Sequence, residues 1–189
     1  MQEQAFSTLT TAVKSVNDET KLLLEQATRL LNWGEIDTVT KFLYGNGRRH
    51  TQASAIVSAF QHLYDGKMIG SDVENIYIFD TDGYGYNYRT GLFHLSEDKK
   101  YSETLETVRL NSNRIAIISQ NGQPKALIGR ALLQHATRLV LGYIVVEMNV
   151  QNIMNILSNT ELGNAGQFFI MNRSGELLLP YSLENLNVS

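Results

Sequence analysis

Cysteine is absent from the 189 residues, which removes thiolate nucleophiles, disulfide frameworks and thiolate-based zinc sites together. The compartment stays open on this count, because exported and cytosolic chains alike can lack the residue. Neither sign of charge dominates, with 16 basic against 19 acidic side chains and a net charge of -3. A chain so balanced has no footprint for gripping a polyanion, so no nucleic-acid partner is expected. Long apolar runs are also missing: the longest, Leu139 to Val146, falls far short of the roughly 20 residues a membrane helix needs. No charged-then-apolar signal segment opens the chain. The stretch is expected to be soluble as it stands, and any membrane attachment to come from spanning helices outside it. What is present is an ordinary globular composition, 43% hydrophobic and 19% charged, enough for one domain or one plus part of another.

The first segment carries Phe6, Leu9, Val13, Val16, Leu23, Ala27 and Leu30 at alternating spacings of three and four, with Thr20 in the one gap. That is a heptad seam. A helix of about 30 residues would be about 45 Å long, longer than a domain of this size requires. Two readings are open, an amphipathic helix lying on a sheet and a dimerising or membrane-linked stalk. Trp33-Gly34 breaks the pattern. A second helix is expected from Ile36 to Tyr44, stopped at Gly45-Asn46-Gly47, and a third with Ala53, Ile56, Val57, Phe60, Leu63 and Tyr64 as its buried stripe before Asp65-Gly66.

From Asn75 the period changes. Ile76-Tyr77-Ile78-Phe79 runs into Asp82-Gly83, which predicts a hairpin returning through Tyr84 to Arg89, with Tyr84, Tyr86 and Tyr88 on one face. A polar stretch from Leu95 to Asn113 follows, helical near its end by the spacing of Tyr101, Leu105 and Val108. Three further strands are expected. Arg114 to Ser119 and Lys125 to Leu133 are joined through Asn121-Gly122, and Arg138 to Met148 is apolar on both faces, as in the middle of a covered sheet. Asn149 can cap a last helix with Val150, Ile153, Ile156 and Leu157 inward and Gly163 as its stop. The segment Phe168 to Gly175 then repeats the type pattern of Ile76 to Gly83, a second hairpin signal.

In this order, and above all in Leu141-Gly142-Tyr143-Ile144-Val145-Val146-Glu147-Met148-Asn149-Val150 followed by Gly166-Gln167-Phe168-Phe169-Ile170-Met171-Asn172-Arg173-Ser174-Gly175, the chain resembles the double Cache family of extracytoplasmic PAS-like sensors, as found in bacterial sensor histidine kinases. The resemblance implies an α+β fold: a PAS-like antiparallel sheet with a long N-terminal helix and flanking helices. It also implies a division into a helical stalk and sheet-packing helices (1–70), a membrane-distal PAS-like module (71–160) and the start of a membrane-proximal module (161–189). That last module would be either truncated or vestigial, since a complete one needs further strands after its first hairpin. The function implied is extracytoplasmic sensing of a small solute on a transmembrane two-component kinase, with the signal passed through the helices, a homodimer formed by the first helix, and no cofactor and no catalysis in this segment. Chemoreceptors and diguanylate cyclases carry similar sensors. The amino-acid-binding branch has an Arg-x-Trp-aromatic motif before the third strand; here only Arg109 and Arg114 stand there, and the one tryptophan is Trp33, so amino acids are not the expected ligand.

The same residues also suggest other chemistries. Ile78-Phe79-Asp80-Thr81-Asp82-Gly83 mimics a haloacid-dehalogenase-type phosphatase, with Asp80 as nucleophile, Asp82 as acid/base and magnesium offsetting charge. That alternative needs parallel strands and a later acidic pair after an apolar strand. The competing reading is a turn with solvated aspartates. A calcium loop starting at Asp80 would place Gly91 where a bidentate glutamate belongs. His50, His62, His94 and His135 show neither helical pairing nor a shared acid, so no metal site is expected. For ligand binding, Arg130 shares a strand face with Ala126, Ile128 and Leu132, where an anion would compensate an otherwise costly cation. Escape at the sheet edge or pairing with Glu147 are the plainer alternatives. Tyr86, Tyr88 and Arg89 on the return strand, with Tyr101 and Arg114 flanking the helical insert, complete the candidate wall for a small anion or sugar-like ligand.

Overall fold

The computed structural model describes residues 2–33, 37–43, 49–67, 69–112, 114–120, 123–134, 136–160, 170–171 and 177–179. The chain forms two compact units, one of Leu24–Ala116 with Leu127–Met148 and one of Met1–Leu23, Ile117–Ala126 and Asn149–Ser189.

The heptad segment is a single helix, α1 (Gln2–Trp33). Its threonines fit because their hydroxyls fold back on the preceding turn: Thr10 donates to the Phe6 carbonyl at 2.8 Å, Thr20 to Val16 at 2.8 Å and Thr28 to Leu24 at 2.7 Å. The seam is buried only in part. Leu23, Ala27 and Leu30 are core residues, whereas Phe6 is 72% exposed and Leu9 and Val13 are exposed as well. Helices α2 (Asp37–Leu43) and α3 (Arg49–Asp65) follow. In α3, Ile56, Phe60 and Leu63 are buried, but Val57 and Tyr64, expected in the same stripe, lie exposed. The stripe is narrower along one edge than the sequence predicts, because Val57 and Tyr64, seven residues apart, share that edge, and the side chain of Ala53 lies outside the described residues. The glycines at 45 and 47 lie outside them too.

Strands β1 (Val73–Asp80), β2 (Tyr84–Asn87) and β3 (Gly91–His94) precede α4 (Lys99–Leu110). Then come β4 (Ile115–Gln120), β5 (Gln123–Leu133), β6 (Val140–Asn149) and α5 (Gln151–Ser158), and a separate pair β7 (Ile170–Met171) and β8 (Leu177–Leu179). The first six strands make one sheet in the order β3-β2-β1-β6-β5-β4. With the helices around it, this is the α+β, PAS-like antiparallel architecture expected from the sequence. At its centre β1 runs antiparallel to both neighbours, with Tyr77 opposite Asn87 on β2 and opposite Val145 on β6.

Several local features depart from expectation. The return strand stops at Asn87, two residues early, because the Asn87 side-chain oxygen accepts from the amides of Arg89 (2.8 Å) and Thr90 (3.2 Å) and turns the chain. Gly91, at φ 90, then opens the unexpected strand β3. Asp80 is buried rather than solvated: its Oδ1 accepts from the Asp82 and Tyr84 amides, both at 2.8 Å, and so closes the β1–β2 turn. Asn149 does hold the start of α5, accepting from Gln151 N at 2.6 Å, but from one position before the capping residue, Val150. Val150 and Ile153 are buried there as expected, while Ile156 and Leu157 are only half-buried. The β7–β8 pair answers the second hairpin signal; its turn residues, the Asn121-Gly122 turn and Gly163 lie outside the described residues.

Candidate functional site

Strand alternation divides the side chains of β1 between two faces. Ile76 and Ile78 share a face with Tyr86, because Ile78 and Tyr86 are register partners. On that face Tyr86 stacks on Phe60 of α3 at 5.4 Å and meets Phe42 of α2 edge-on. Tyr88 also packs against Phe60, at 5.4 Å. Tyr77 and Phe79 point the other way, to α4. There Tyr77, Phe79, Phe93 and Tyr101 form an aromatic cluster in which Phe93 and Tyr101 stack at 3.9 Å. Gly85 makes room for the Phe93 ring, since a Cβ at that position would collide with it.

Within this apolar face lies a polar group of four, of which Glu147, Tyr77 and Asn75 are buried and Lys100 is half-buried. Glu147, 3% exposed on β6, accepts a 2.5 Å hydrogen bond from the Tyr77 hydroxyl and an ion pair from Lys100 of α4 at 3.3 Å. Asn75, the register partner of Glu147, donates to the Tyr77 oxygen at 3.2 Å. The Lys100 ammonium also stands 5.7 Å from the Tyr77 ring centroid, close enough for attraction by its π face. A carboxylate this buried is tolerated only when paired and hydrogen-bonded, and here an apolar central strand supplies the position while α4 supplies the cation. The Thr104 hydroxyl, one turn beyond Lys100 and fully buried, has no hydrogen-bond partner among the described residues. Its neighbour Thr107 makes the usual bond to the carbonyl four residues back, at 2.7 Å, so the orphaned hydroxyl is a property of the Thr104 position. Leaving it so costs about 1–3 kcal/mol.

Helix α4 itself begins where Asp98 accepts from the Lys100 amide at 2.8 Å. It lies along β6. Lys100 reaches Glu147 while Arg109 stands 5.2 Å over the Tyr143 ring, and nine helical residues and four strand residues each span about 13 Å. Val108 fills the space left by Gly129 on β5, where a Cβ would come within 2.6 Å of it.

The residues singled out from sequence therefore fall in different places. Of Tyr86, Tyr88, Arg89, Tyr101, Arg114 and Arg130, only Tyr101 is on the α4 face. Tyr86 and Tyr88 line the opposite face under α3. Arg130 alternates with Gly129 and so points away from α4, donating to the Leu31 carbonyl at 2.9 Å in the last turn of α1; there its charge also suits the helix terminus. Arg89 donates through Nε to the Glu74 carbonyl at the outer end of β1. Arg114 is exposed just after α4. Sequence reasoning missed Tyr77, Lys100, Thr104 and Asn75 and gave Glu147 only as a partner for Arg130. The available signal was one acid inside a strand that is apolar on both faces.

Tyr77 has a measurable consequence. Burial, reinforced by the Glu147 hydrogen bond and charge, pushes its phenol far above the ordinary value of 10.0. A raised folded-state pKa contributes stability that is present below the ordinary value and lost as pH rises towards the folded one. Denaturation free energies should thus begin to fall as pH approaches 10.0 and go on falling above it, and Tyr77→Phe should flatten that fall.

The geometry settles the phosphatase alternative. That chemistry requires parallel strands delivering Asp80 to a cleft, whereas β1 is antiparallel to both neighbours and Asp80 closes a hairpin. Among the described residues there is no cluster of three or more histidine or acidic side chains fit for a metal.

The fold is that of bacterial sensory ligand-binding domains, the Cache or PAS-like type. Among solved structures, the sensory domain of the Campylobacter jejuni chemoreceptor Tlp3 (CcmL) superposes with a TM-score of 0.58 at 11% identity, covering 93% of this chain and 69% of that one. The Tlp3 ligand-binding domain in complex with L-valine gives 0.55 at 10% identity over 93% and 69%. The ligand-binding domain of the Pseudomonas fluorescens chemoreceptor CtaA in complex with L-leucine gives 0.54 at 15% identity over 94% and 70%. No protein-family model and no curated protein matches the chain in sequence.

Proposed function

We propose that the chain is the extracytoplasmic sensing domain of a transmembrane signalling protein, a binding module rather than an enzyme, which takes up a small solute between the sheet and α4. The observation that carries this reading is the polar group Glu147, Tyr77, Asn75 and Lys100 beneath α4, with the orphaned Thr104 hydroxyl beside Lys100 on the helix. A few placed polar groups in an apolar surround are what orient a small ligand. The Tlp3 and CtaA domains, which share the fold, are described with amino acids bound; the Arg-x-Trp-aromatic pattern is missing here, so a different solute is favoured. A sensor histidine kinase is the output the sequence resemblance favours, with chemoreceptors and diguanylate cyclases as the alternatives, and spanning helices outside the chain would anchor it.

The experiment is a thermal-shift screen against a metabolite panel, repeated on Glu147→Gln. A solute at a hundredfold its dissociation constant should stabilise the protein by about 2.7 kcal/mol, and the variant should lose that response. Magnesium-dependent turnover of a phosphate ester that Asp80→Asn abolishes would overturn the reading.

The bare half of the α1 seam supports a further part of the proposal, a homodimer in which Phe6, Leu9 and Val13 meet their counterparts from a second copy. Light scattering on a size-exclusion column should give a dimer for the wild type and a monomer for Phe6→Glu with Val13→Glu. A wild-type monomer at high concentration would remove the dimer.

A further inference from the structure

We propose that Lys100 is a built-in occupant of a cation site on the sheet, and that the solute sensed there is a small organic cation whose ammonium takes the place of Lys100 on Glu147. This rests on the sensory reading above and names the class of solute it concerns.

Two partners hold the Glu147 carboxylate, and they differ in how readily they can leave. The Tyr77 hydroxyl belongs to the central strand, is fully buried and is itself held by Asn75. Lys100 comes from the first turn of α4, and its side chain is 35% exposed against 4% for Glu147. A lysine there sits at the end of the helix where the backbone dipole disfavours a cation. Its neighbour Lys99 is held by Glu103 at 2.9 Å, while Lys100 is turned inward to the sheet. A flexible four-carbon stem lets the ammonium swing into water, whereas Glu147 cannot follow it out of a central strand. The exchangeable member of the cluster is therefore the cation.

The surroundings agree. The ammonium lies against the face of Tyr77, beside the stacked Phe93 and Tyr101, an aromatic wall that receives positive charge. An anion brought to the same place would meet Glu147, with Lys100 already committed to it. The Thr104 hydroxyl lies one helical turn from Lys100 on the same side of α4 and lacks a partner, so it can serve the solute as a second polar contact. When the solute's ammonium replaces that of Lys100, the first turn of α4 loses its fastening to β6. Ligand affinity and helix position are then coupled through the difference in affinity between the two states.

The probe is propylammonium chloride, with 1-propanol and sodium propionate as neutral and anionic counterparts and sodium chloride as the salt control, added to the full chain and followed by calorimetry and thermal unfolding. Wild-type protein should bind propylammonium and neither counterpart. Lys100→Met should melt several degrees lower, regain that loss with propylammonium, and bind it at least tenfold more tightly because the competitor is gone. Glu147→Gln should bind none. If Lys100→Met does not fold, Lys100→Gln, which keeps a donor for the carboxylate, replaces it in the same comparison. The proposal is overturned if propylammonium shifts the lysine variant no more than sodium chloride does. Glu147-dependent binding of 1-propanol or propionate overturns the cationic class and leaves the sensory reading standing; silence from all three and from the metabolite panel overturns both.

Discussion

Phe79→Ala is expected to lower the unfolding free energy by about 3–5 kcal/mol, the usual cost of emptying a large aromatic site in a packed core. Phe79 has no exposed surface and touches Tyr77 and Phe93 at ring separations of 5.8 and 5.4 Å. Its neighbours cannot close the hole. Tyr77 is tied to Glu147 by its hydroxyl, and Phe93 is fixed between Phe79 and the stacked ring of Tyr101. Because the lost packing is also the floor of the proposed solute site, the same variant should lose the thermal response to the solute. Urea denaturation checks the first statement through the midpoint at unchanged slope. A loss under about 1 kcal/mol would mean the cluster is looser than the ring contacts indicate.

The second large effect concerns an atom that is not there. Gly142 pairs with Asp80 where β6 crosses β1, and a Cβ at Gly142 would run into the Phe79 carbonyl oxygen and within 2.9 Å of the Leu43 side chain. Leu43 can turn aside; a backbone carbonyl in a central strand cannot move without parting the two strands. Gly142→Ala should therefore cost roughly 3 kcal/mol, at the upper end of overpacking losses. Gly91→Ala is the natural comparison, because its surroundings are open and only the positive φ of 90 resists a side chain; there the expected loss is about 1–2 kcal/mol. The order of the two midpoints in urea decides the matter. If Gly91→Ala were the more damaging, the close approach of β1 and β6 at Gly142 would be wrong.

The architecture was largely legible because its signals are local. The heptad spacing of α1, the switch to paired aromatic and β-branched residues at Asn75 and the hairpin turns all act within a few residues of one another. Strand β3 escaped notice because what creates it is the side chain of Asn87, which bends the backbone at Arg89 and Thr90, and asparagine in a strand carries no unique meaning. The site was much less legible. Which face Tyr77 or Tyr86 occupies depends on the register between β1 and β2, a long-range property, and a strand buried on both sides gives no polar alternation from which to read it. Tyr86 and Tyr88 thus came forward as candidates on the strength of their alternation, although they face α3. Glu147 and Lys100 lie far apart in the chain, and nothing in either neighbourhood announces the other. A single acid in an apolar strand was the one clue, and it pointed to a partner cation without saying which.

Two of the three cations of α4, Lys100 and Arg109, land on β6, one towards each end of the helix. If the Lys100 end lets go while Arg109 keeps its place over Tyr143 and Val108 stays in the notch of Gly129, the helix opens like a hatch on its far edge. Amide exchange should record this as a gradient, with solute added: protons near Tyr101 leave early, and those near Val108 hold on until the whole helix lifts.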